Sequence, residues 1–164
     1  MTRRPYEELF EALNRGGVRF AVVGGLAAVL HGVPRMTFDV DLVVDPEPDN
    51  MTALVEVLDQ AGYRPRISVP LTDLADLASR EALRARNMIA LSLWHPSRPV
   101  EEVDILLAPP LPWSALAQDL QHRNLGSTKV PVVGRATLIA LKRYAGRPQD
   151  LADIEHLEEL DDDA

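Results

Sequence analysis

Cysteine is absent from this chain, so neither disulfides nor thiolate metal sites can support the fold. A chain built without them fits a reducing cytoplasm. Lysine is nearly missing, occurring only at Lys129 and Lys142, so almost all positive charge is carried by arginine. Aromatic residues make up only 5%, which leaves few base-stacking platforms, and Trp94 and Trp113 are expected in the core or at its rim. The longest apolar stretch, around Phe20 to Leu30, is interrupted by Gly24 and Gly25 and falls short of the roughly 20 residues that cross a bilayer. No charged-then-apolar leader opens the sequence, so a secretion signal is not expected. There is no Walker A sequence and no Gly-x-Gly-x-x-Gly, which disfavours P-loop and Rossmann chemistry. The four histidines, His31, His95, His122 and His156, are scattered without metal-ligand spacing.

What is present is a chain of 164 residues with 46% apolar content, enough for the core of one domain. Net charge is −8, and Glu158, Glu159, Asp161, Asp162 and Asp163 form an acidic tail. This balance argues against a broadly basic nucleic-acid surface, while leaving room for a local arginine groove. Arginine forks suit phosphate oxygens in particular.

Hydrophobic spacing predicts a first helix through Tyr6, Leu9, Phe10 and Leu13, ended by Gly16-Gly17, and a short buried strand from Arg19 to Val23. A helix from Leu26 to Leu30, closed by Gly32 and Pro34, leads to a strand from Thr37 to Val44. A Pro-rich turn from Asp45 to Asn50 precedes a helix through Leu54, Val57, Leu58 and Ala61. A short strand at Arg64 to Val69 and a helix at Asp73 to Arg86 follow. Asn87 to Trp94 and Val100 to Leu107 read as an antiparallel hairpin around "HPSRP". Pro112 opens a helix to about His122, and Thr128 to Val132 reads as an edge strand because Pro131 cannot donate. Helices at Ala136 to Tyr144 and from Pro148 close the chain. The fold class is α/β (α+β): a mixed sheet flanked by helices, with further helices at the C-terminus.

The strand at Thr37 to Val44 carries the chemistry. Residues two apart on a strand point the same way, so Asp39 and Asp41 share one face, about 7 Å apart along the chain. Two such carboxylates repel unless a cation or a shared proton relieves them. Oxygen ligands aimed at one point suit Mg²⁺, and two ions a few ångströms apart stabilise both attacking and leaving oxygens of an in-line phosphoryl displacement. Asp104, mid-strand in "VEEVDILL", supplies a third carboxylate able to bind a metal and accept a proton from an attacking hydroxyl. Its neighbours Glu101 and Glu102, closer to the turn, read as solvated. Gly24-Gly25, between strand and helix, allows a phosphate close to backbone amides at a helix start. Arg35 adds a fork for a triphosphate.

In order, "VVGGLAAVLHGVPRMTFDVDLVV" and the later lone Asp104 resemble the DNA-polymerase-β-like nucleotidyltransferase superfamily. The likeness is to its small bacterial branch, which includes toxin components of abortive-infection and toxin–antitoxin systems. Gly24-Gly25, Asp39-Val40-Asp41 and Asp104 match the family pattern, and the Arg-x-Thr-x-Asp-x-Asp setting places Arg35 and Thr37 beside the site. In the C-terminal "LKRYAGRPQDLADIEHL", Lys142, Arg147, Asp150 and Asp153 match, with Gln149 where a lysine is common. The resemblance implies a nucleotidyltransferase fold across residues 1–164, with a core at about 17–110 and a helical part at about 111–164. It implies transfer of a nucleoside monophosphate from an NTP, such as ATP, to an acceptor hydroxyl, with pyrophosphate released. Asp39, Asp41 and Asp104 would hold two Mg²⁺ or Mn²⁺ ions; Gly24, Gly25, Arg35, Thr37 and Lys142 would bind the nucleotide. The acceptor would be tRNA or another RNA, a protein or a small molecule, and an antitoxin is the implied protein partner. A non-catalytic nucleotide- or partner-binding module of the same fold is the alternative, and a metal-dependent phosphohydrolase a third reading.

Overall fold

The computed structural model describes residues 2–160, so Asp161, Asp162 and Asp163 of the acidic tail lie outside the described residues. Seven strands form one mixed sheet in the order β3-β4-β5-β2-β1-β7-β6. The strands are β1 (Phe20–Val23), β2 (Asp39–Val44), β3 (Arg64–Pro65), β4 (Ala90–His95), β5 (Arg98–Leu106), β6 (Leu120–Leu125) and β7 (Thr128–Val133). The helices are α1 (Glu7–Arg15), α2 (Gly24–His31), α3 (Pro48–Ala61), α4 (Leu77–Ala85), α5 (Trp113–Leu116), α6 (Arg135–Ala145) and α7 (Pro148–Glu159). The expected mixed sheet with flanking helices is therefore present. Among the described residues no helix is long and apolar enough to cross a membrane.

At the centre, β1 runs antiparallel to β2, and β2 runs parallel to β5. On one face Val40, Leu42, Leu91, Leu93, Val103 and Ile105 are buried. Tyr63, which follows α3, donates its hydroxyl to Glu101 on this face, and the Tyr6 amide donates to the same carboxylate. The layer holding α1 and α3 therefore seals it. On the other face Asp39, Asp41, Ser92, Glu102 and Asp104 alternate with those core residues and stay half-buried. The helices α2, α6 and α7 pack on one another beside this face, leaving its β2–β5–β4 part open.

Several elements differ from the sequence expectation. The Pro112 helix stops early: α5 ends at Leu116, a 3₁₀ turn covers Ala117–Asp119, and β6 begins at Leu120. Asp119 is the anchor of this turn. Its carbonyl accepts the Gly134 amide at 2.7 Å and its carboxylate accepts the Thr137 hydroxyl at 2.7 Å. β6 then forms a hairpin with β7, so β7 is interior and β6 holds the edge. The edge assignment drawn from Pro131 was wrong for a local reason: the parallel β1–β7 ladder registers only at Val22 and Val132, so Pro131 is not asked to donate along a long ladder.

The expected helix at Asp73 to Arg86 divides at Asp76, whose carboxylate caps α4 by accepting from the Ser79 amide at 3.0 Å. The strand expected at Thr37 starts at Asp39, and the one expected at Arg64 to Val69 is only Arg64–Pro65. Pro48 to Asn50, expected in a turn, already belong to α3, where Pro48 occupies the first turn without losing a needed donor.

Candidate active site

Register and pleat bring the three expected carboxylates together. Asp41 is the Cα partner of Asp104 across the parallel β2–β5 ladder, with Asp39 opposite Glu102. Because side chains alternate with period two, Asp39, Asp41 and Asp104 project to one face. Each offers a carboxylate oxygen within 4.8 Å of the others, and all three are half-buried.

This closeness has an electrostatic cost. Burial first, then the charges of Asp39 and Asp104, push the Asp41 carboxyl up from 3.8 to about 7. Burial also raises Asp104, opposed by a hydrogen bond from Ser92. That hydroxyl donates to Asp104 Oδ1 at 2.6 Å, and Ser92 is the cross-strand partner of Asp104 on β4. Sequence reasoning missed Ser92, although the hairpin around "HPSRP", once its register is counted back, sets it opposite Asp104.

Gly24 and Gly25 open α2 directly above this face, two residues earlier than the sequence pattern indicates. Gly24 has φ +69°, and a Cβ there would run into the Asp41 carboxylate. A Cβ on Gly25 would lie 2.7 Å from Arg35 Nη2 and 2.8 Å from Thr37 Oγ1. Gly24 thus needs glycine for backbone and space, while a side chain at Gly25 would have to displace the ends of Arg35 and Thr37. Val23, at the helix cap, offers no side-chain hydrogen bond to the first-turn amides, so those amides suit an anion.

The basic residues are placed differently from expectation. Arg35 grips Asp153 of α7: Nη2 donates to Oδ2 at 3.0 Å, and Nε lies 2.9 Å from Oδ1 as an ion-pair contact outside hydrogen-bond direction. Lys142 is buried, with Nζ 2.8 Å from Asp153 and 3.4 Å from Asp150. Burial alone would raise both of these carboxyls. The partners outweigh it, Lys142 and Arg35 holding Asp153, and Arg147 with Lys142 holding Asp150, below the ordinary carboxylate range. Gln149 also donates to Asp153, at 3.0 Å. Arg35 and Lys142 are thus joined through Asp153 rather than directed at the carboxylate triad. Thr37 lies against Gly25, with its hydroxyl 3.3 Å from the Asp39 carbonyl. Arg147 is mostly exposed, pairs with Asp150 at 2.8 Å, and its charge acts on Asp39 and Asp41.

Glu101 corrects another expectation. It is buried rather than solvated, accepting from Tyr6, Tyr63 and Arg98, with Arg98 Nε at 3.0 Å. Arg98 is three residues away, but Tyr6 and Tyr63 lie 95 and 38 residues distant, and no local pattern announces them. Glu102 is partly exposed and pairs with Arg66 at 2.9 Å. The Tyr6 hydroxyl donates to the Phe38 carbonyl at 2.6 Å and accepts from the Glu102 amide at 2.8 Å. It thereby ties the start of β2 to β5, beside Asp39.

Comparison with known proteins places this geometry. Residues 9–164 match the model of a family described as the nucleotidyl transferase AbiEii toxin of type IV toxin–antitoxin systems. No protein of curated function matches the sequence. The fold is similar to the lincosamide antibiotic adenylyltransferase LnuA bound to lincomycin, at 16% identity and TM-score 0.62, covering 98% of this chain and 100% of that one. It is similar to ANT(2″)-Ia in complex with adenylyl-2″-tobramycin, at 15% identity and TM-score 0.57, covering 92% and 83%. An antigenic nucleotidyltransferase-like protein from Paracoccidioides brasiliensis aligns at 19% identity and TM-score 0.53, covering 91% and 71%. At these identities the likeness is one of fold.

Proposed function

The chain belongs to the AbiEii nucleotidyl transferase toxin family, and from that premise we propose that it moves a nucleoside monophosphate from an NTP, such as ATP, to an acceptor hydroxyl in a Mg²⁺-dependent reaction. The observation that carries this reading is the convergence of Asp39, Asp41 and Asp104 within 4.8 Å, next to the glycine-opened start of α2. The donor set fits the metal: three oxygen ligands on rigid strands, with a repulsion that raises Asp41 and that a divalent cation would relieve. Two Mg²⁺ ions, or Mn²⁺ on the same ligands, would supply neutralisation of the triphosphate and of the attacking and leaving oxygens.

The remaining steps fall to the protein's own groups. Asp104, held by Ser92, accepts the proton of the acceptor hydroxyl. The hydroxyl oxygen bonds to the α-phosphorus as the bond to the bridging oxygen breaks, and pyrophosphate leaves. Gly24 and Gly25 let the triphosphate approach the first amides of α2. Arg147, whose charge already reaches Asp39 and Asp41, is the cation best placed to meet phosphate. Arg35, Thr37 and Lys142 act through position, holding the segment before β2 against α7. The chain works as one nucleotidyltransferase-like domain in the cytoplasm, with an antitoxin as its protein partner and RNA, protein or a small molecule as acceptor.

A second reading, a non-catalytic nucleotide- or partner-binding module of this fold, draws on the engagement of Arg35 and Lys142 by Asp153. Incubation with each α-labelled NTP, Mg²⁺ and cell lysate separates the two. Transfer of label, lost in Asp39→Asn, supports the enzyme. NTP binding without label transfer or pyrophosphate release supports the module, and free NMP without a labelled acceptor indicates hydrolysis.

A further inference from the structure

A cavity lies past the carboxylates along β2 and β5. It holds about 460 Å³ and is bounded by the C-terminal ends of β2 and β5, by α4, and by Met51 and Trp113. Asp104 and Ile105 are neighbours on β5 but face opposite ways: Asp104 joins the triad, while Ile105 lines this cavity. The walls are apolar except for Arg80 and Arg84, four residues apart and therefore on one face of α4. Among the described residues no acidic side chain lines it.

Arg80 is the unusual feature. It is only 6% exposed, and its Nη1 donates to the Leu74 carbonyl at 2.6 Å. Among the described residues no carboxylate comes within ion-pair distance of it. The nearest acids on its own helix act only through space, and Asp76 is already occupied by the amide and hydroxyl of Ser79. Burial first, then repulsion by Arg84, pushes the Arg80 guanidinium below its ordinary pKa. A buried guanidinium without a counter-charge is costly, and a second cation beside it adds to the cost. Two arginines that repel each other in an apolar pocket make physical sense if an anion sits between them.

We propose that this cavity is a binding site for a small organic anion. Its carboxylate or phosphate rests on Arg80 and Arg84, and its apolar or aromatic body lies against Ile105, Met51 and Trp113. The volume falls in the range of small-molecule pockets, roughly 300–1,000 Å³. Apolar walls with only two cations suit one charged head rather than a polyphosphate chain.

Titration calorimetry on the full chain tests this with 2-naphthylacetate, 2-naphthyl phosphate and the neutral 2-naphthylacetamide. One molecule of an anionic probe is expected per chain, with the amide at least about tenfold weaker. Arg84→Gln, an exposed substitution, is expected to weaken the anion about fivefold or more. Arg80→Met is expected to abolish binding while the melting temperature of the free protein holds or rises, because a lone buried charge is removed. The ratio of the two anions tells carboxylate from phosphate. Saturable binding by neither anion up to about 1 mM, an amide as tight as the acid, or unchanged affinity in Arg84→Gln overturns the proposal, and Arg84→Gln decides it should Arg80→Met fail to fold.

Discussion

Asp41 of β2 and Asp104 of β5 sit directly opposite each other in a parallel ladder, with their carboxylates on the same face. Like charges so placed destabilise a sheet. Their relief is a hydrogen bond from the raised Asp41 carboxyl to Asp104, a second donor to Asp104 from Ser92, and the charge of Arg147, which acts on Asp41 from a distance. A fold that keeps such a pair at its centre, between strands whose other face buries Val40, Leu42, Val103 and Ile105, carries a local conflict that its core does not need.

That conflict predicts a pH dependence of the metal-free protein. Asp41 titrates near 7 in the folded state against 3.8 without the fold's influence. An acid raised in this way contributes its stability fully below its unfolded pKa and loses that contribution as pH rises through the folded value. In EDTA, urea melts are expected to show stability falling between pH 4 and 7 by about 1–3 kcal/mol on account of this group. Asp41→Asn is expected to remove that decline, and an unchanged slope in the variant would refute the assignment.

Metal addition is expected to reverse the decline. Above pH 7, Mg²⁺ or Mn²⁺ should raise the melting temperature of the wild-type protein, and the rise should vanish in Asp39→Asn, Asp41→Asn and Asp104→Asn. The same variants are expected to lower nucleotidyl transfer about 100-fold or more, as removal of a metal ligand does.

How much of this was legible in the sequence depends on range. The alternation around Asp39 and Asp41 and the isolated Asp104 in an apolar run specify which face each carboxylate takes, so the triad could be read from local pattern. Gly24-Gly25 was equally visible, though not that the helix begins at Gly24 itself. β6 was hidden because Leu120–Leu125 is polar, half-exposed and at an edge, and no Gly or Pro separates it from α5. Glu101 depends on Tyr6 and Tyr63, 95 and 38 residues away, which no window of sequence can show. Lys142 and Arg35 are likewise decided by Asp153, which packing of α7 delivers.

Ser92 offers a finer test. Its hydrogen bond lowers the Asp104 pKa, against burial. Ser92→Ala is therefore expected to raise that pKa, moving the acid limb of the pH–rate profile to higher pH. The loss of one charge-assisted hydrogen bond should reduce the rate at neutral pH by about 10-fold. A profile that drops without shifting would mean that Ser92 acts only on packing.

Gly24→Ala and Gly25→Ala separate two ways of disturbing the α2 start. At Gly24 the added methyl meets the Asp41 carboxylate and must take φ +69°, so a loss of about 2 kcal/mol in stability is expected together with impaired metal binding. At Gly25 the neighbours are the tips of Arg35 and Thr37, which can yield. There the expected stability loss is about 1 kcal/mol, with metal binding retained and NTP affinity lowered. Equal metal affinity in both variants would argue against the Gly24–Asp41 contact.

Asp153 joins the parts of the chain that the sequence left separate. Its carboxylate is 1% exposed and meets Arg35 from the segment before β2, Lys142 from α6 and Gln149 from its own helix. Asp153→Ala would leave Arg35 without a carboxylate partner and the buried Lys142 with only its 3.4 Å contact to Asp150, and a loss of about 3 kcal/mol is expected by chemical denaturation. Since its pKa is depressed in the fold, its contribution is present above the ordinary carboxylate value of 3.8 and is lost as pH falls through the lower folded value. The wild-type protein is therefore expected to weaken below pH 4, and Asp153→Ala to show less of that acid sensitivity. Arg35→Lys keeps the charge but not the fork, and the contact of Arg35 with Gly25 makes NTP affinity the parameter expected to suffer first. Were Asp153→Ala to keep full stability while losing activity, Asp153 would belong to the reaction rather than to the scaffold that holds it.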